Sequence, residues 1–218
     1  MTIDTVLFDF DGTLADTNEM IIGSWQHTYR TLRGEEEPLE NILKTFGEPL
    51  ALSMEKAFPE TPVDQAIAVY RSFQEEHFEE MIRPFPGMDE LIRRLKREGY
   101  KVGIVTSRLR NTTMRGLRQF GLDGDVDIVV TCEDTQKHKP DPQPASEALL
   151  RLGSKPENAI MVGDSIFDIR CAHGAGLKAV KVGWAAASSE GEEEESADAV
   201  AETAEDILWI IESMERSC

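Results

Sequence analysis

The chain has 218 residues, of which 40% are hydrophobic, and its formal net charge at pH 7 is −18. So strong a negative charge argues against nucleic acid or an anionic membrane surface as a partner. Because no apolar stretch approaches the ~20 residues of a membrane span and the N-terminus lacks a signal-peptide pattern, we expect a cytoplasmic globular protein.

The first predicted element is a buried strand that ends in acidic residues. The apolar run Thr5–Phe8 leads directly into Asp9-Phe10-Asp11-Gly12. Since side chains alternate along a strand, Asp9 and Asp11 point the same way and Phe10 points to the opposite face. This edge of a sheet is where open α/β proteins bind ligands, and two like charges so close repel each other unless a cation lies between them. An acidic turn is the simpler interpretation, because Asp and Gly are ordinary turn residues.

These two carboxylates predict a phosphoryl transfer that depends on Mg²⁺. Asp9 would attack phosphorus as the nucleophile, and Asp11 would protonate the leaving oxygen and later deprotonate the water that hydrolyses the aspartyl-phosphate. A carboxylate that approaches a phosphate dianion meets strong repulsion, so a divalent ion with hard oxygen ligands is needed. We therefore expect a small phosphorylated molecule as the substrate.

A helical segment follows the acidic cluster and continues for roughly seventy residues. Asp16 and Glu19 are predicted to form a capping pair at its start. Its apolar side chains recur at helical spacing, which indicates packing between helices rather than a cofactor site. We predict a small α-helical cap domain over residues 16–82, which closes over the site as a lid and is hinged near Ala15 and near Arg83-Pro84.

After this segment, short β-branched runs alternate with helical patterns. Buried parallel strands joined by crossover helices produce such an alternation. The predicted fold class is α/β, a Rossmann-like parallel sheet flanked by helices, with a core domain of residues 1–15 and 83–218 and the helical cap inserted after the first strand. A final helix is expected to pack on the sheet, and the acidic tract 188–196 is expected to be a solvated loop. The predicted strands after the first cover residues 101–106, 126–131, 159–164 and 177–182.

Further polar groups stand at the ends of later strands. Thr106 and Ser107 offer a hydroxyl and backbone N–H groups to a phosphoryl oxygen, and Lys139 lies in a proline-flanked loop where its ammonium could neutralise both the attacking carboxylate and the phosphate. Asp164 ends another apolar strand, and Asp168 follows four residues later on a helix. That spacing lets Asp164 bind a metal while Asp168 orients the metal or its water. A helix start for the hydroxyls and a surface position for the lysine are the simpler alternatives.

In this arrangement the chain resembles the haloacid dehalogenase-like hydrolases. The family's four motifs are matched in order by Asp9-x-Asp11-Gly12-Thr13, Thr106, Lys139-Pro140 and Gly163-Asp164-x-x-x-Asp168. The resemblance covers essentially the whole chain, and the helical segment looks like the family's small α-helical cap. Since Asp11 is present, the resemblance implies a phosphatase rather than a carbon–halogen hydrolase. The chain is most similar to bacterial phosphoglycolate phosphatases and the small inorganic pyrophosphatases grouped with them.

The resemblance also implies a role for each motif residue. Asp9 is the implied nucleophile and Asp11 the implied acid and base, with Mg²⁺ held by Asp9, the backbone carbonyl of Asp11, and Asp164. Thr106 and Lys139 would bind and neutralise the phosphoryl group. Asp168 is expected to support the ligands of the metal. Substrate binding is expected from Gly12, Thr13 and Ser107.

Specificity is expected to come from the cap, where residues 46–50 are the best candidate for a loop that reaches the site. Glu48 in this loop would repel the carboxylate of phosphoglycolate and favour a neutral or hydroxyl-rich leaving group. Alternatively, Glu48 is an exposed acid at a helix start without a role in binding. Arg108 and Arg110 could offer a second contact for an anion, which would favour pyrophosphate or phosphoglycolate.

Three functions remain open from the sequence. A phosphatase or pyrophosphatase that hydrolyses a phosphoglycolate-like molecule, pyrophosphate or a sugar phosphate fits best. A β-phosphoglucomutase-type transfer would use the same acids, but Thr13 favours hydrolysis, because mutase relatives commonly carry Val there. A non-catalytic phosphate-sensing or partner-binding protein is disfavoured, because every expected catalytic group is present. His27 and Arg30 are interpreted as solvated residues that could also face the site. We expect a monomer or small homo-oligomer.

Overall fold

The computed structural model describes residues 2–46, 48–184 and 196–216 of the chain. Its strands, in chain order, are β1 (Thr5–Phe8), β2 (Ala15–Asp16), β3 (Arg83–Pro84), β4 (Lys101–Val105), β5 (Ile128–Val130), β6 (Ala159–Gly163), β7 (Lys178–Val182) and β8 (Ala199–Ala201). Within these residues, six strands form one sheet in the order β5-β4-β1-β6-β7-β8, and each runs parallel to its neighbours. The predicted parallel sheet is therefore confirmed.

Helices cover both faces of the sheet, because the strands are apolar on both sides. Val6 and Phe8 of β1 belong to one hydrophobic cluster, and Leu7, which points to the opposite face, belongs to another. The final helix packs into the first cluster through Ile207 and Ile211, as predicted. The helices are α1 (Asn18–Arg33), α2 (Leu39–Leu43), α3 (Leu50–Ala57), α4 (Val63–Met81), α5 (Met88–Arg97), α6 (Arg110–Gln119), α7 (Gln143–Leu152), α8 (Ile166–Gly174) and α9 (Ala204–Arg216).

The first strand lies at the centre of the sheet, which explains why its four residues are all buried. Phe8 is level with Ile104 of β4 and with Val162 of β6, so the segments that leave these three strands emerge together at one edge. The chain places β4 and β5 on one side of β1 and the later strands on the other. A ligand-binding crevice forms at such a reversal of strand order.

The helices α1 to α4 build a hydrophobic cluster of their own. Trp25 lies against Tyr70 with ring centroids 5.6 Å apart and against Phe58 at 6.4 Å, and Met54 is fully buried beside them. The aromatic side chains at helical spacing therefore pack helix against helix. The division of the chain into a core domain and a cap domain of residues 16–82 stays a prediction.

The two ends of this helical segment are paired with each other. Strand β2 is antiparallel to β3, with Ala15 opposite Pro84 and Asp16 opposite Arg83. The chain therefore leaves the region of the large sheet and returns to it at one place. Two residues are too few for a strand alternation to be recognised, which is why the sequence pattern predicts hinges here but no strands.

The structure differs from the sequence-based predictions at the start of α1 and at strand β8. The predicted capping pair at Asp16 and Glu19 is wrong, because Thr17 occupies the N-cap position and Asp16 accepts its hydrogen bond from the Asn18 N–H at 3.2 Å instead. Strand β8 was not predicted, since three residues show no clear period.

Most of the acidic tract, residues 188–195, lies outside the described residues. In the described part of the chain, none of the helices has the length and apolarity needed to cross a membrane.

Candidate active site

Three carboxyl groups converge where β1 and β6 end. Asp9 follows β1 and is 7% exposed, Asp164 follows β6, and Asp168 lies on the first turn of α8. One oxygen from each of them lies within 4.8 Å of the other two. Burial raises the pKa of Asp9 to about 7, and burial together with the charges of Asp168 and Asp9 raises the pKa of Asp164 well above its usual range. A cation between these groups would relieve their repulsion.

Lys139 joins two of these carboxylates. Its side chain is 5% exposed, and its Nζ lies 2.8 Å from Asp9 Oδ1, 2.6 Å from Asp168 Oδ1 and 3.3 Å from the carbonyl oxygen of Val105. Burial alone would lower the pKa of this ammonium group, but the charges of Asp168 and Asp9 raise the pKa of Lys139 above its ordinary value. Lys139 is therefore a fixed positive charge beside Asp9.

Asp168 completes the hydrogen-bond network around Lys139. Its Oδ2 accepts hydrogen bonds from the Ser165 N–H at 3.1 Å and the Ser165 hydroxyl at 2.6 Å, and its own backbone N–H donates to Ser165 Oγ. This reciprocal capping box opens α8, so the helix start itself fixes the carboxylate. Both oxygens of Asp168 are engaged, and Asp168 does not line the cavity, whereas Asp9 and Asp164 do.

A tight turn after β1 brings Asp11 back toward the same place. The Gly12 N–H donates to the carbonyl oxygen of Ala15 at 2.9 Å, and Gly12 has a φ of +75°, a conformation that favours glycine. A Cβ atom at Gly12 would lie 2.4 Å from Asp164 Oδ2. The absence of a side chain at this position therefore lets the turn and Asp164 approach each other.

Thr106 and Arg108 follow β4 at the same edge. Thr106 is buried, and its Oγ1 accepts a hydrogen bond from the backbone N–H of Arg108 at 3.1 Å. The Arg108 side chain is 7% exposed, and its Nη1 donates to Asp11 Oδ1 at 2.6 Å. Arg110, the other candidate for an anion contact, binds the carboxylate of Asp134 instead and does not line the cavity.

Most of the predicted site residues line one cavity of about 260 Å³. Thr13 is fully buried and does not line it. Neither do His27, which lies 5.6 Å from the Phe73 ring, and Arg30, which pairs with Glu36. The predicted residues that line the cavity are Asp9, Asp11, Gly12, Glu48, Thr106, Ser107, Arg108, Lys139 and Asp164.

Glu48 lines this cavity from the segment between α2 and α3. Its carboxylate accepts a hydrogen bond from the hydroxyl of Ser53 and forms an ion pair with Lys56, both in α3. Much of its charge is therefore already compensated within the same segment. Gly47, which precedes it in the predicted loop, lies outside the described residues.

The first and fourth helices add polar side chains to the cavity that belong to none of the sequence motifs. Asn18 of α1 and Gln74 of α4 line it, together with Tyr70 and Phe78. Tyr70, Gln74 and Phe78 are four residues apart and share one helix face, a spacing that could have identified Gln74. Burial raises the pKa of Tyr70, so its hydroxyl stays neutral at physiological pH.

Comparisons with known proteins agree on one family. A family model described as haloacid dehalogenase-like hydrolase matches residues 6–182. Pyrophosphatase PpaX of Bacillus cereus is 40% identical over 217 residues, covering 100% of both chains, and that of Halalkalibacterium halodurans is 37% identical over 211 residues, covering 97% of this chain and 98% of the relative. A haloacid dehalogenase-like family hydrolase from Streptococcus pneumoniae has the same fold, with a TM-score of 0.85, 22% identity and coverage of 95% of this chain and 98% of that one.

Proposed function

The chain belongs to the haloacid dehalogenase-like hydrolase family, and on that basis we propose that it is a Mg²⁺-dependent phosphatase of small phosphorylated metabolites that works through an aspartyl-phosphate. The observation that carries this proposal is the position of Asp9, which contacts the buried Lys139 in a cavity that Asp11 and Asp164 also line. A nucleophile, a fixed positive charge and an acid or base are thus available within one enclosed volume.

The proposed reaction has two steps. In the first, a carboxylate oxygen of Asp9 forms a bond to phosphorus while the bond between phosphorus and the leaving oxygen breaks, and Asp11 gives that oxygen a proton. In the second, Asp11 takes a proton from water, whose oxygen attacks phosphorus and releases phosphate together with the Asp9 carboxylate. Lys139, held by Asp168, offsets the negative charge on Asp9 and on the phosphoryl group, and the Thr106 hydroxyl contacts a phosphoryl oxygen.

The residues at this edge of the sheet fit a divalent metal ion. Asp9 and Asp164 offer carboxylate oxygens, the ligands that Mg²⁺ prefers, and the raised pKa of each indicates that their ionised forms need a neighbouring positive charge. The proposed ligands are Asp9, the backbone carbonyl of Asp11, and Asp164. Asp168 supports this site by holding Lys139 and Ser165 in place. The ion, when bound, supplies the positive charge that reduces repulsion between carboxylate and phosphate.

Pyrophosphate is the first substrate candidate. The PpaX relatives, which are named pyrophosphatases, match over nearly the full length of both chains, and a cavity of about 260 Å³ suits a small leaving group. Phosphoglycolate-like molecules and small sugar phosphates are the alternatives. In this proposal residues 16–82 form a cap that excludes water from the reacting phosphate, and Gly12, Ser107 and Glu48 contribute to the substrate pocket.

A phosphate-release assay with these substrates, with Mg²⁺ and with a chelator, tests the proposal. We expect turnover only with the metal, near-complete loss in Asp9→Asn without loss of fold, and slower turnover in Asp11→Asn that worsens with poorer leaving groups. Normal activity of Asp9→Asn would contradict the proposal. Sugar-phosphate isomerisation without phosphate release would instead favour the mutase-type reaction.

A further inference from the structure

Arg108 is a buried cation whose hydrogen-bonding capacity is only partly used within the described part of the chain. Its Nη1 donates to Asp11, but its Nε and Nη2 have neither a hydrogen-bond partner nor contact with solvent. The guanidinium carbon lies 5.8 Å from the ring centroid of Phe10 and 5.6 Å from that of Phe78. Buried donors without partners are unfavourable, and Arg108 lines the cavity, so this unused pair points to a ligand that binds beside it.

The unused atoms form a recognisable binding edge. Nε and Nη2 lie on the same side of a guanidinium and together match the two oxygens of a carboxylate or a phosphate. Arg115 in the same protein uses this edge, since its Nε and Nη2 donate to the two carboxylate oxygens of Glu79 at 2.8 and 2.7 Å. Arg108 presents the same edge without such a partner.

The charges of the cavity indicate what this edge receives. Lys139 contacts two carboxylates, those of Asp9 and Asp168, and Arg71 is exposed, whereas Arg108 pairs with one carboxylate and keeps an unused donor edge. The charged residues that line the cavity are Asp9, Asp11, Glu48, Glu75 and Asp164, against Arg71, Arg108 and Lys139. A substrate with two anionic groups would be repelled by the carboxylates of this lining and attracted by Lys139, Arg108 and the exposed Arg71.

We propose that Arg108 binds a second anionic group of the substrate, a phosphate or a carboxylate on the leaving group, while its Nη1 remains paired with Asp11. This assignment rests on the proposed function and narrows the substrates to small phosphate esters or anhydrides with two anionic groups. Because Nε and Nη2 have no contact with solvent in this structure, binding requires the guanidinium to turn toward the cavity that Arg108 lines. The guanidinium then bridges the leaving group and Asp11, which is the proposed proton donor to that group.

Matched substrates test this role. Phosphoglycolate and 2-hydroxyethyl phosphate have the same length and differ in the carboxylate, which the second compound replaces with a hydroxymethyl group. We expect Arg108→Gln to lower the ratio of kcat/KM for phosphoglycolate to kcat/KM for 2-hydroxyethyl phosphate by about 10- to 100-fold. The same fall is expected for pyrophosphate relative to methyl phosphate. A loss of Asp11 orientation alone would slow phosphoglycolate and 2-hydroxyethyl phosphate to a similar extent, because both leaving groups are alkoxides, and it would slow methyl phosphate more than pyrophosphate, so neither ratio would fall.

Arg110→Gln is the control, because Arg110 is two residues away and binds Asp134 outside the cavity lining. Its ratio should equal that of the wild type, and thermal unfolding should show that both variants are folded. An unchanged ratio in Arg108→Gln, or a wild-type preference for the neutral substrates, would overturn the assignment.

A binding measurement separates this assignment from the proposed function. In the Asp9→Asn background with Mg²⁺, calorimetry should show that Arg108→Gln weakens phosphoglycolate binding by about 10-fold or more and leaves 2-hydroxyethyl phosphate binding nearly unchanged. Absence of turnover in the wild type would refute the proposed function, while equal effects on the two ligands would refute the role of Arg108.

Discussion

Asp164 shows most clearly how buried carboxylates that lie close together disfavour the folded state. Its carboxylate is close to those of Asp9 and Asp168, and Lys139 contacts these two but is not among the hydrogen-bonding or ion-pair partners of Asp164 in the described residues. Burial and the two neighbouring charges raise its pKa above 3.8, the ordinary value. The folded protein therefore holds this proton more tightly than the unfolded chain does, and the ionised group destabilises the metal-free fold as the pH rises above that value.

We accordingly predict that Asp164→Asn stabilises the metal-free protein at pH 8. The free energy of unfolding should rise by about 1 to 3 kcal/mol, and the gain should shrink toward pH 4, where the wild-type carboxyl group is protonated. Urea unfolding with a chelator measures both values, and Asp123→Asn, which changes an exposed carboxylate, should have little effect. Added Mg²⁺ should stabilise the wild type more than the variant. Equal stability of wild type and variant at pH 8 would contradict this interpretation of Asp164.

Gly12 permits a second prediction, with a matched control in the same chain. Gly12 and Gly34 both have a φ of +75°, but a Cβ atom at Gly12 would lie 2.4 Å from Asp164 Oδ2, whereas one at Gly34 would have no atom within 4 Å. Gly12→Ala should lower kcat/KM by about 100-fold by displacing Asp164. Gly34→Ala should cost about 1 kcal/mol of stability and leave kcat/KM unchanged. Similar activity of the two variants would show that the close approach at Gly12 is unimportant.

Among the elements, α9 is expected to affect the stability of the fold without affecting the activity of the site. Ile211 is 1% exposed and Trp209, two residues earlier, is 75% exposed. Ile211→Ala should cost about 2 to 5 kcal/mol in the free energy of unfolding, while Trp209→Ala should cost less than about 0.5 kcal/mol. Both should keep the wild-type kcat/KM below their melting temperatures, because α9 does not line the cavity. A large loss of activity without a loss of stability would contradict this view of α9.

The elements also show which structural features a sequence pattern can predict. Strands β4, β6 and β7 have five residues each, most of them buried, and the bounds predicted from the sequence agree to within one residue. Strands β2, β3 and β8 have two or three residues, too few to show a period, so they were missed. Local pattern therefore predicts elements that are long enough to bury a continuous apolar face, whereas short pairings depend on contacts between distant segments.

For the whole molecule, the order of the motifs predicted the family and the fold class, which the family match and the sheet topology confirm. Side-chain pairings were harder to predict, because they join distant residues. Arg108 and Asp11, which form an ion pair, are 97 positions apart in the sequence. Arg110 and its partner Asp134 are 24 positions apart. Neither pairing leaves a periodic signal in the sequence. The residues of α1 and α4 that line the cavity could not be predicted for a different reason. Residues that pack against other helices and residues that line the cavity lie on the same face of α4, so their spacing does not distinguish them.

The proposed reaction depends on a covalent bond between Asp9 and phosphorus, and trapping the phosphorylated protein would reveal that bond. Protein mixed with pyrophosphate and Mg²⁺ should be quenched in acid within one turnover, digested at low pH and analysed by mass spectrometry. We predict one added phosphoryl group on the peptide that contains Asp9, absent in Asp9→Asn and longer-lived in Asp11→Asn, whose second step lacks its base. Efficient phosphate release with no phosphorylated peptide in any of these proteins, or with the group on another residue, would contradict the account.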